Sequence, residues 1–372
     1  MRHKRFLKYM LALALLSVGP ALPACAQTDV HILDVGQGLS VLIESQGYTM
    51  LYDGGDSSHS SYVVSYLKQQ GVSKLDYVVA SHYDADHLNG IVGALNVFPA
   101  ETLWGPDYTA DSRVFDSFLK ISAAKGLNKI QPAPGTEYSV GDAAIQVLAP
   151  SGSGYSDVNN YSIAIRVQDG DTSFLITGDA ETDSEQEMLS SGLTLNSDVY
   201  IMGHHGSGTS NNPEFVQAVS PEYAVVSCAM GNAYGHPHQE AMTAVQSVGA
   251  RLFRTDMQGN LVASTDGQTI TWNTAPCNNY TPGSFMEVPA DLPDQPPISE
   301  TVSADRNQKA SAPAGISSQP YDGYTIIVNK NSKKYHIPSC RSVRDMKESN
   351  KGYCSDAAYL NANGYQPCKN CH

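Results

Sequence analysis

The chain has 372 residues, 41% of them hydrophobic, with 37 acidic against 23 basic side chains and a formal net charge of −14. Length and composition are those of a globular protein with room for one large domain and one small one. An acid excess of this size excludes a chain that gathers polyanions through its bulk charge alone.

The first eight residues carry Arg2, Lys4, Arg5 and Lys8 and no acid; an apolar run continues to about Val18, and Ala24-Cys25-Ala26 follows. This predicts a secretory signal peptide over residues 1–26, with an apolar run too short to span a bilayer. Leu22-Pro23-Ala24-Cys25 also resembles a lipobox, so lipidation of Cys25, and with it a membrane tether, stays open beside cleavage after Ala26. Either route places the mature protein outside the cytoplasm, secreted or anchored. No other stretch approaches the roughly 18 uninterrupted apolar residues of a spanning helix.

Removing residues 1–26 takes away four positive charges and leaves −18, distributed unevenly: residues 324–372 carry +5 and the rest −23. Between Thr28 and Trp272, short β-rich runs alternate with helical patterns. Val30-His-Ile-Leu-Asp34, Ser40-Val-Leu-Ile-Glu44 and Tyr48-Thr-Met-Leu-Tyr52 predict an opening antiparallel meander. The later runs Asp76–Ala80, Phe174–Thr177, Asp198–Met202 and Tyr223–Val226 are each followed by polar residues and then a helix. Residues 27–276 therefore predict one α/β domain with its chemistry at the strand ends. Pro, Ser and Ala dominate 277–323, a predicted linker, and 324–372 form a second, small domain.

Ser81-His82-Tyr83-Asp84-Ala85-Asp86-His87 follows the strand Tyr77-Val-Val-Ala80 directly. Four potential ligands within six residues, imidazoles mixed with carboxylates, suit a metal site: His82 and Asp84 on one side, Asp86 and His87 facing a second ion. Asp86 as a plain helix N-cap is the alternative, and it leaves His82, Asp84 and His87 unexplained.

The His-x-Asp-x-Asp-His string resembles the signature of metallo-β-lactamase-fold hydrolases. With Asp in place of the usual second His, it is similar to the hydrolase domain of ComEC DNA-uptake proteins. His31-Ile-Leu-Asp-Val-Gly-Gln-Gly38, Leu51-Tyr-Asp-Gly-Gly55, Asn159-Asn-Tyr-Ser-Ile-Ala164, Thr177-Gly-Asp-Ala180, Gly203-His-His-Gly-Ser207 and Tyr234-Gly-His-Pro-His238 follow in the matching order. The resemblance covers about residues 28–272 and implies a four-layer αββα fold holding two divalent ions, zinc or manganese, with no organic cofactor.

Carried over position by position, the resemblance makes Asp179 the carboxylate bridging both ions. His205 is then the terminal ligand of the second ion. His204 beside it either replaces it or faces substrate, since adjacent residues leaving a strand point in opposite directions. Asn159 or Asn160 stands where a further His is usual, and this oxygen-rich departure tilts the metal towards manganese. Asp53 is expected to bond backbone or a ligand His from behind. His236 and His238 either meet substrate or belong to a loop ordered by Pro237, and His31 and His59 receive no role.

The expected reaction is attack by a hydroxide shared between the ions, oriented by Asp84 or Asp86, with His204 or His236 as proton donor.

At the C-terminus, His336-x3-Cys340 and Cys368-x2-Cys371 form a ligand set suited to one structural zinc, and so small a domain needs such a staple. The pattern is similar to the zinc module of Ada-type DNA-repair proteins. Disulfides are the alternative in an exported chain. The basic residues among Tyr324, Tyr335, Tyr353, Tyr359 and Tyr365 suit nucleic acid or a cell-wall polyanion, and suit an ordinary solvated face equally well.

The leading expectation is an extracellular nuclease acting on DNA. The alternatives are a hydrolase of another exported ester (surface phosphorylcholine, a lactone or a β-lactam) and a non-catalytic accessory protein of DNA uptake.

Overall fold

The computed structural model describes residues 27–283 and, in a second unit, 326–336 and 350–354 together with 343, 346, 347, 360 and 365–368. The expected signal peptide with Cys25, most of the linker, Cys340 and Cys371 lie outside the described residues.

The first unit begins with the expected meander: β1 (Thr28–Ile32), β2 (Val41–Ser45) and β3 (Tyr48–Tyr52) pair antiparallel. Helix α1 (Ser60–Gln69), β4 (Leu75–Val79), α2 (Ala85–Val97), β5 (Ala100–Trp104), α3 (Arg113–Ala124) and β6 (Lys129–Ile130) follow, and β3 through β6 run parallel.

The chain then builds a second sheet. Antiparallel β7 (Glu137–Val140), β8 (Ala143–Val147), β9 (Ile165–Asp169) and β10 (Thr172–Ile176) precede parallel β11 (Val199–Ile201), β12 (Tyr223–Val226) and β13 (Arg251–Arg254). Helices α4 (Thr182–Ser190), α5 (Pro213–Val219) and α6 (Gln239–Ser247) connect the parallel strands. After the single turn α7 (Thr255–Gln258), β14 (Leu261–Thr265) and β15 (Ile270–Trp272) return to the first sheet, where β14 pairs with β1.

Alternation along the strands sorts the side chains into three cores. Val30, Ile43, Met50 and Val79 from the first sheet meet Ile145, Phe174, Val199 and Val225 from the second. The odd partners face outward: Leu42, Leu51 and Val78 pack under α1, α2 and α3, while Leu175, Tyr200 and Ala224 pack under α4, α5 and α6. Strands covered on both faces lose the polar alternation of a half-exposed strand, which is why all five residues of β10 are buried. The result is the four-layer αββα arrangement.

The segment after β15 departs from expectation. Composition predicts a linker from Cys277, yet Arg254, fully buried and bidentate to Asp256, also donates to the carbonyls of Asn279 and Thr281, and Gly283 N–H bonds the Pro237 carbonyl. A buried guanidinium needs those acceptors, so the first unit extends at least to Gly283.

In the second unit, β16 (Ile326–Asn329) pairs antiparallel with β17 (Lys334–His336) and β18 (Lys351–Cys354), and β17 runs parallel to β19 (Gln366–Pro367). His336 and Cys368 are both buried, and Cys368 N–H bonds the carbonyl of Tyr335 at 2.9 Å.

One backbone contact fixes where α2 starts relative to β3. Gly54 N–H donates to His87 carbonyl at 2.7 Å, and a Cβ on Gly90 would lie 1.8 Å from Gly54 O. No side chain can move to relieve that clash. Gly90→Ala is expected to cost about 3 kcal/mol, the upper part of the overpacking range, in denaturant unfolding of metal-free protein.

Candidate metal centre

The turn after β4 carries Ser81, His82 and Asp84 into α2, whose first turn holds Asp86 and His87. Asp84 occupies the N-cap position without making a side-chain capping bond. Asp86 Oδ2 instead lies 3.4 Å from His205 Nε2. Plain helix capping therefore explains neither carboxylate.

Asp53, just beyond β3, is fully buried in left-handed backbone with φ 57°. Its Oδ1 accepts the Ser81 N–H at 2.8 Å; its Oδ2 accepts the Ser81 hydroxyl at 2.6 Å and His87 Nδ1–H at 2.7 Å. Having given its only proton to Asp53, Ser81 Oγ accepts from His82 Nδ1 at 3.0 Å. His205 Nδ1 donates to the Ser227 carbonyl at 3.0 Å. The hydrogen-bond network thus assigns a proton to Nδ1 of all three rings and leaves each Nε2 free of that proton.

What those nitrogens face decides the chemistry. His87 Nε2 is 3.2 Å from Asp179 Oδ1 and 3.2 Å from His205 Nε2, and His205 Nε2 is 3.4 Å from Asp179 Oδ2. His82 Nε2 and Asp179 Oδ1 are buried without a hydrogen-bond partner among the described residues. Lone pairs and carboxylates gathered this closely away from water require positive charge between them.

Two triads, His82/His87/Asp179 and Asp86/His87/His205, bring one ligand atom each within 4.8 Å of the others. Neutral imidazole and carboxylate at this spacing fit divalent metal ions. Asp84 belongs to neither triad; its Oδ2 stands 3.9 Å from His82 Nε2, and it borders a cleft of about 330 Å³ with Tyr83, Tyr108, Asp111 and Val158.

The expectation that His204 and His205 point to opposite sides fails. They sit in a turn after β11, not in a strand, and both adopt left-handed backbone, with φ 50° and 55°. That conformation costs a non-glycine residue about 1–2 kcal/mol and brings both rings to Asp179: His204 Nε2 lies 3.7 Å from its Oδ2. The turn is held by Asn211, whose Nδ2 bonds the carbonyls of Gly203 and Ser207. Asn211 N–H in turn bonds the buried Glu185, pushed up to about 7 by burial.

Glu181 was not anticipated. Its Oε1 receives Thr209 Oγ1 at 2.8 Å and lies 3.2 Å from His204 Nδ1. Nothing in its sequence surroundings separates it from other acids of a helix start. Of the two asparagines, Asn160 caps α4 by accepting the N–H groups of Glu181 and Ser184, whereas Asn159 leaves a buried Oδ1 without a hydrogen-bond partner among the described residues. His236 packs beside His204 and His205, with ring centroids 5.5 and 6.2 Å away. His238 is bonded at both nitrogens, to Gly208 N–H and Tyr234 carbonyl, and holds the loop.

Without an ion, the cluster holds protons instead. Burial pushes His82 down to about 4, reinforced by His87. Burial also opposes charge on His205, yet Asp179 and Asp86 outweigh it and raise that ring to about 9. In His87, burial is likewise overcome, by Asp179 and Asp53, and the ring is held well above the ordinary value.

Metal uptake near neutral pH must therefore displace proton from this pair of raised histidines. Calorimetric titration of metal-free protein in buffers of different ionisation enthalpy is expected to show that release. Apparent affinity is expected to climb as pH rises towards 9 and fall towards acid; uptake without proton release would contradict the ion-pair geometry.

Residues 33–230 match the family model of the metallo-beta-lactamase superfamily. The chain is 33% identical over 237 residues to competence protein ComA of Neisseria gonorrhoeae, covering 63% of this chain and 32% of that protein. It is 27% identical over 265 residues to ComE operon protein 3 of Bacillus subtilis, covering 66% and 34%. It thus spans about a third of the length of these curated relatives. Among solved structures it is similar to YhfI, a metallo-beta-lactamase fold protein of Bacillus subtilis, at 16% identity and a TM-score of 0.46 over 64% of this chain and all of that one. Fold layers, the cluster of His and Asp at the strand ends and the match over 33–230 lead to one conclusion: the chain belongs to the metallo-beta-lactamase superfamily.

Proposed function

We propose that the protein is an exported phosphodiesterase that cuts DNA with two divalent metal ions. The observation that carries this reading is the mixed His/Asp ligand set, in which three imidazoles with Nδ1 held from behind form two overlapping triads with Asp86 and Asp179. His82 and Asp179, with Asp84 and Asn159 at the margin, would hold one ion; Asp86, His87, His205 and Asp179 would hold the other. Carboxylate and carboxamide donors at the margin favour manganese over zinc.

Two such ions supply Lewis acidity to the phosphoryl group and acidify water at neutral pH. The protein's own groups do the rest. Asp84, half in solvent beside the cleft, accepts a hydrogen bond from the attacking water, and His204, 3.7 Å from Asp179 Oδ2, and His236, packed beside it, donate to the departing oxygen.

The relative named competence protein ComA supports DNA as substrate, as does the +5 charge of residues 324–372, which offers phosphates the attraction the acidic body lacks. A small exported ester is the second reading, favoured by the −23 charge of the body.

In the second unit we propose a structural zinc held by His336, Cys340, Cys368 and Cys371. The burial of His336 at the end of β17 and of Cys368 just after the paired β19 supports the described half of that set. The leader-like composition of residues 1–26 supports secretion, with Cys25 as an optional anchor. Among the described residues no helix is long and apolar enough to cross a membrane.

The direct test is cleavage of linear, circular and single-stranded DNA with manganese, zinc, magnesium or chelator. Metal-dependent cutting that falls at least ~10³-fold in Asp84→Ala/His87→Ala is the expected result. Absence of cutting with any metal, in protein that binds two ions, would transfer the reading to the small ester.

A further inference from the structure

Gln37 lies in the Gly36-Gln37-Gly38 turn after β1, far in sequence from the metal-site motifs, and its carboxamide spans two elements. The Ala229 N–H, 3.3 Å away, can only donate, so the atom facing it is the carbonyl Oε1. The amide Nε2 is thereby turned to His236 Nδ1 at 3.2 Å. An amide N–H can only donate as well, so Nδ1 of His236 is an acceptor and its ring proton resides on Nε2. This is the opposite tautomer to His82, His87 and His205, whose Nδ1 atoms meet a hydroxyl, a carboxylate and a carbonyl.

The surroundings fix the turn and the ring against each other. Ser227 Oγ donates to Gly38 carbonyl at 2.8 Å while its own carbonyl holds His205, so the Gln37 turn and the His205 support are one connected unit. A Cβ on Gly38 would lie 2.4 Å from Asp86 carbonyl, which presses the same turn against the start of α2. The His236 backbone is clamped by Asn232, which accepts its N–H at 3.0 Å and donates to its carbonyl at 2.7 Å. Tyr234 stacks on the ring at 5.5 Å.

We propose that Gln37 is a positioning residue that fixes His236 as a neutral hydrogen-bond donor through Nε2–H, beside the Asp179 cluster. Metal ligation needs bare nitrogen, and the three rings around Asp179 provide it. A ring whose proton is locked on Nε2 instead offers a donor to an anionic or departing oxygen of the substrate. The tautomer follows from hydrogen-bond direction alone; its use on a departing phosphate oxygen rests on the phosphodiesterase reading.

The test uses the full chain with isotope-labelled histidine, zinc-loaded, and nitrogen NMR to locate each ring proton, with the His236 signal assigned from His236→Gln. Wild type is expected to carry the His236 proton on Nε2 with Nδ1 bare. Gln37→Glu keeps the shape but presents only acceptors, so the proton is expected on Nδ1. On bis(p-nitrophenyl) phosphate, kcat is expected to fall on the order of 10²-fold, with KM and bound metal unchanged.

A wild-type ring protonated on Nδ1, or a Gln37→Glu ring whose proton stays on Nε2 alone, would overturn the assignment. A reversed tautomer with unchanged kcat would overturn the role. A wild-type chain that cleaves no phosphodiester would contradict the DNA reading, and the spectra would still decide for or against Gln37.

Discussion

The carboxylate of Asp53 is the constraint on which the rest of the centre depends. It is buried among backbone and side-chain donors, and its two oxygens bond Ser81 twice and His87 once. Through Ser81 it also dictates the proton position of His82. One residue at the end of β3 therefore orients both imidazoles of the β4–α2 turn, without itself belonging to either candidate triad. A buried carboxylate without these donors would carry a large desolvation cost, so the turn and the anchor each require the other.

The same logic extends across the second sheet. Three residues of the centre, Asp53, His204 and His205, occupy left-handed backbone that non-glycine residues avoid. Packing holds them there. Val199 and Ile201 seal β11 into the inter-sheet core, Tyr200 faces the opposite core and bonds Asn211, and Asn211 closes the turn. A four-layer sandwich suits this purpose because parallel β4, β10, β11 and β12 end on one edge, where turns are free to carry polar residues while the strands behind them stay rigid.

Much of this was legible from sequence because the ligands come in short strings beside strand patterns. His82, Asp86, His87, Asp179 and His205 are brought together as the motif order implies, and Asp53 lies behind His87, a candidate ligand. Illegible features are those created by long-range closure. Gln37 and His236 are 199 residues apart, and Glu181 meets His204 only because α4 and the turn after β11 share one edge. The strand rule misjudged His204 and His205 because a local pattern does not reveal a left-handed turn. The linker boundary was set too early because Asn279 and Thr281 look like loop residues until Arg254 is seen to need their carbonyls.

The central claim is that one buried carboxylate, Asp179, is shared by two cations. Anomalous diffraction from crystals of the metal-loaded chain, collected at the metal edge, tests it most directly. The account expects two peaks in the large domain, one bounded by His82 and the other by Asp86 and His205, with Asp179 between them. A single peak there, or two peaks of which only one touches Asp179, would contradict it.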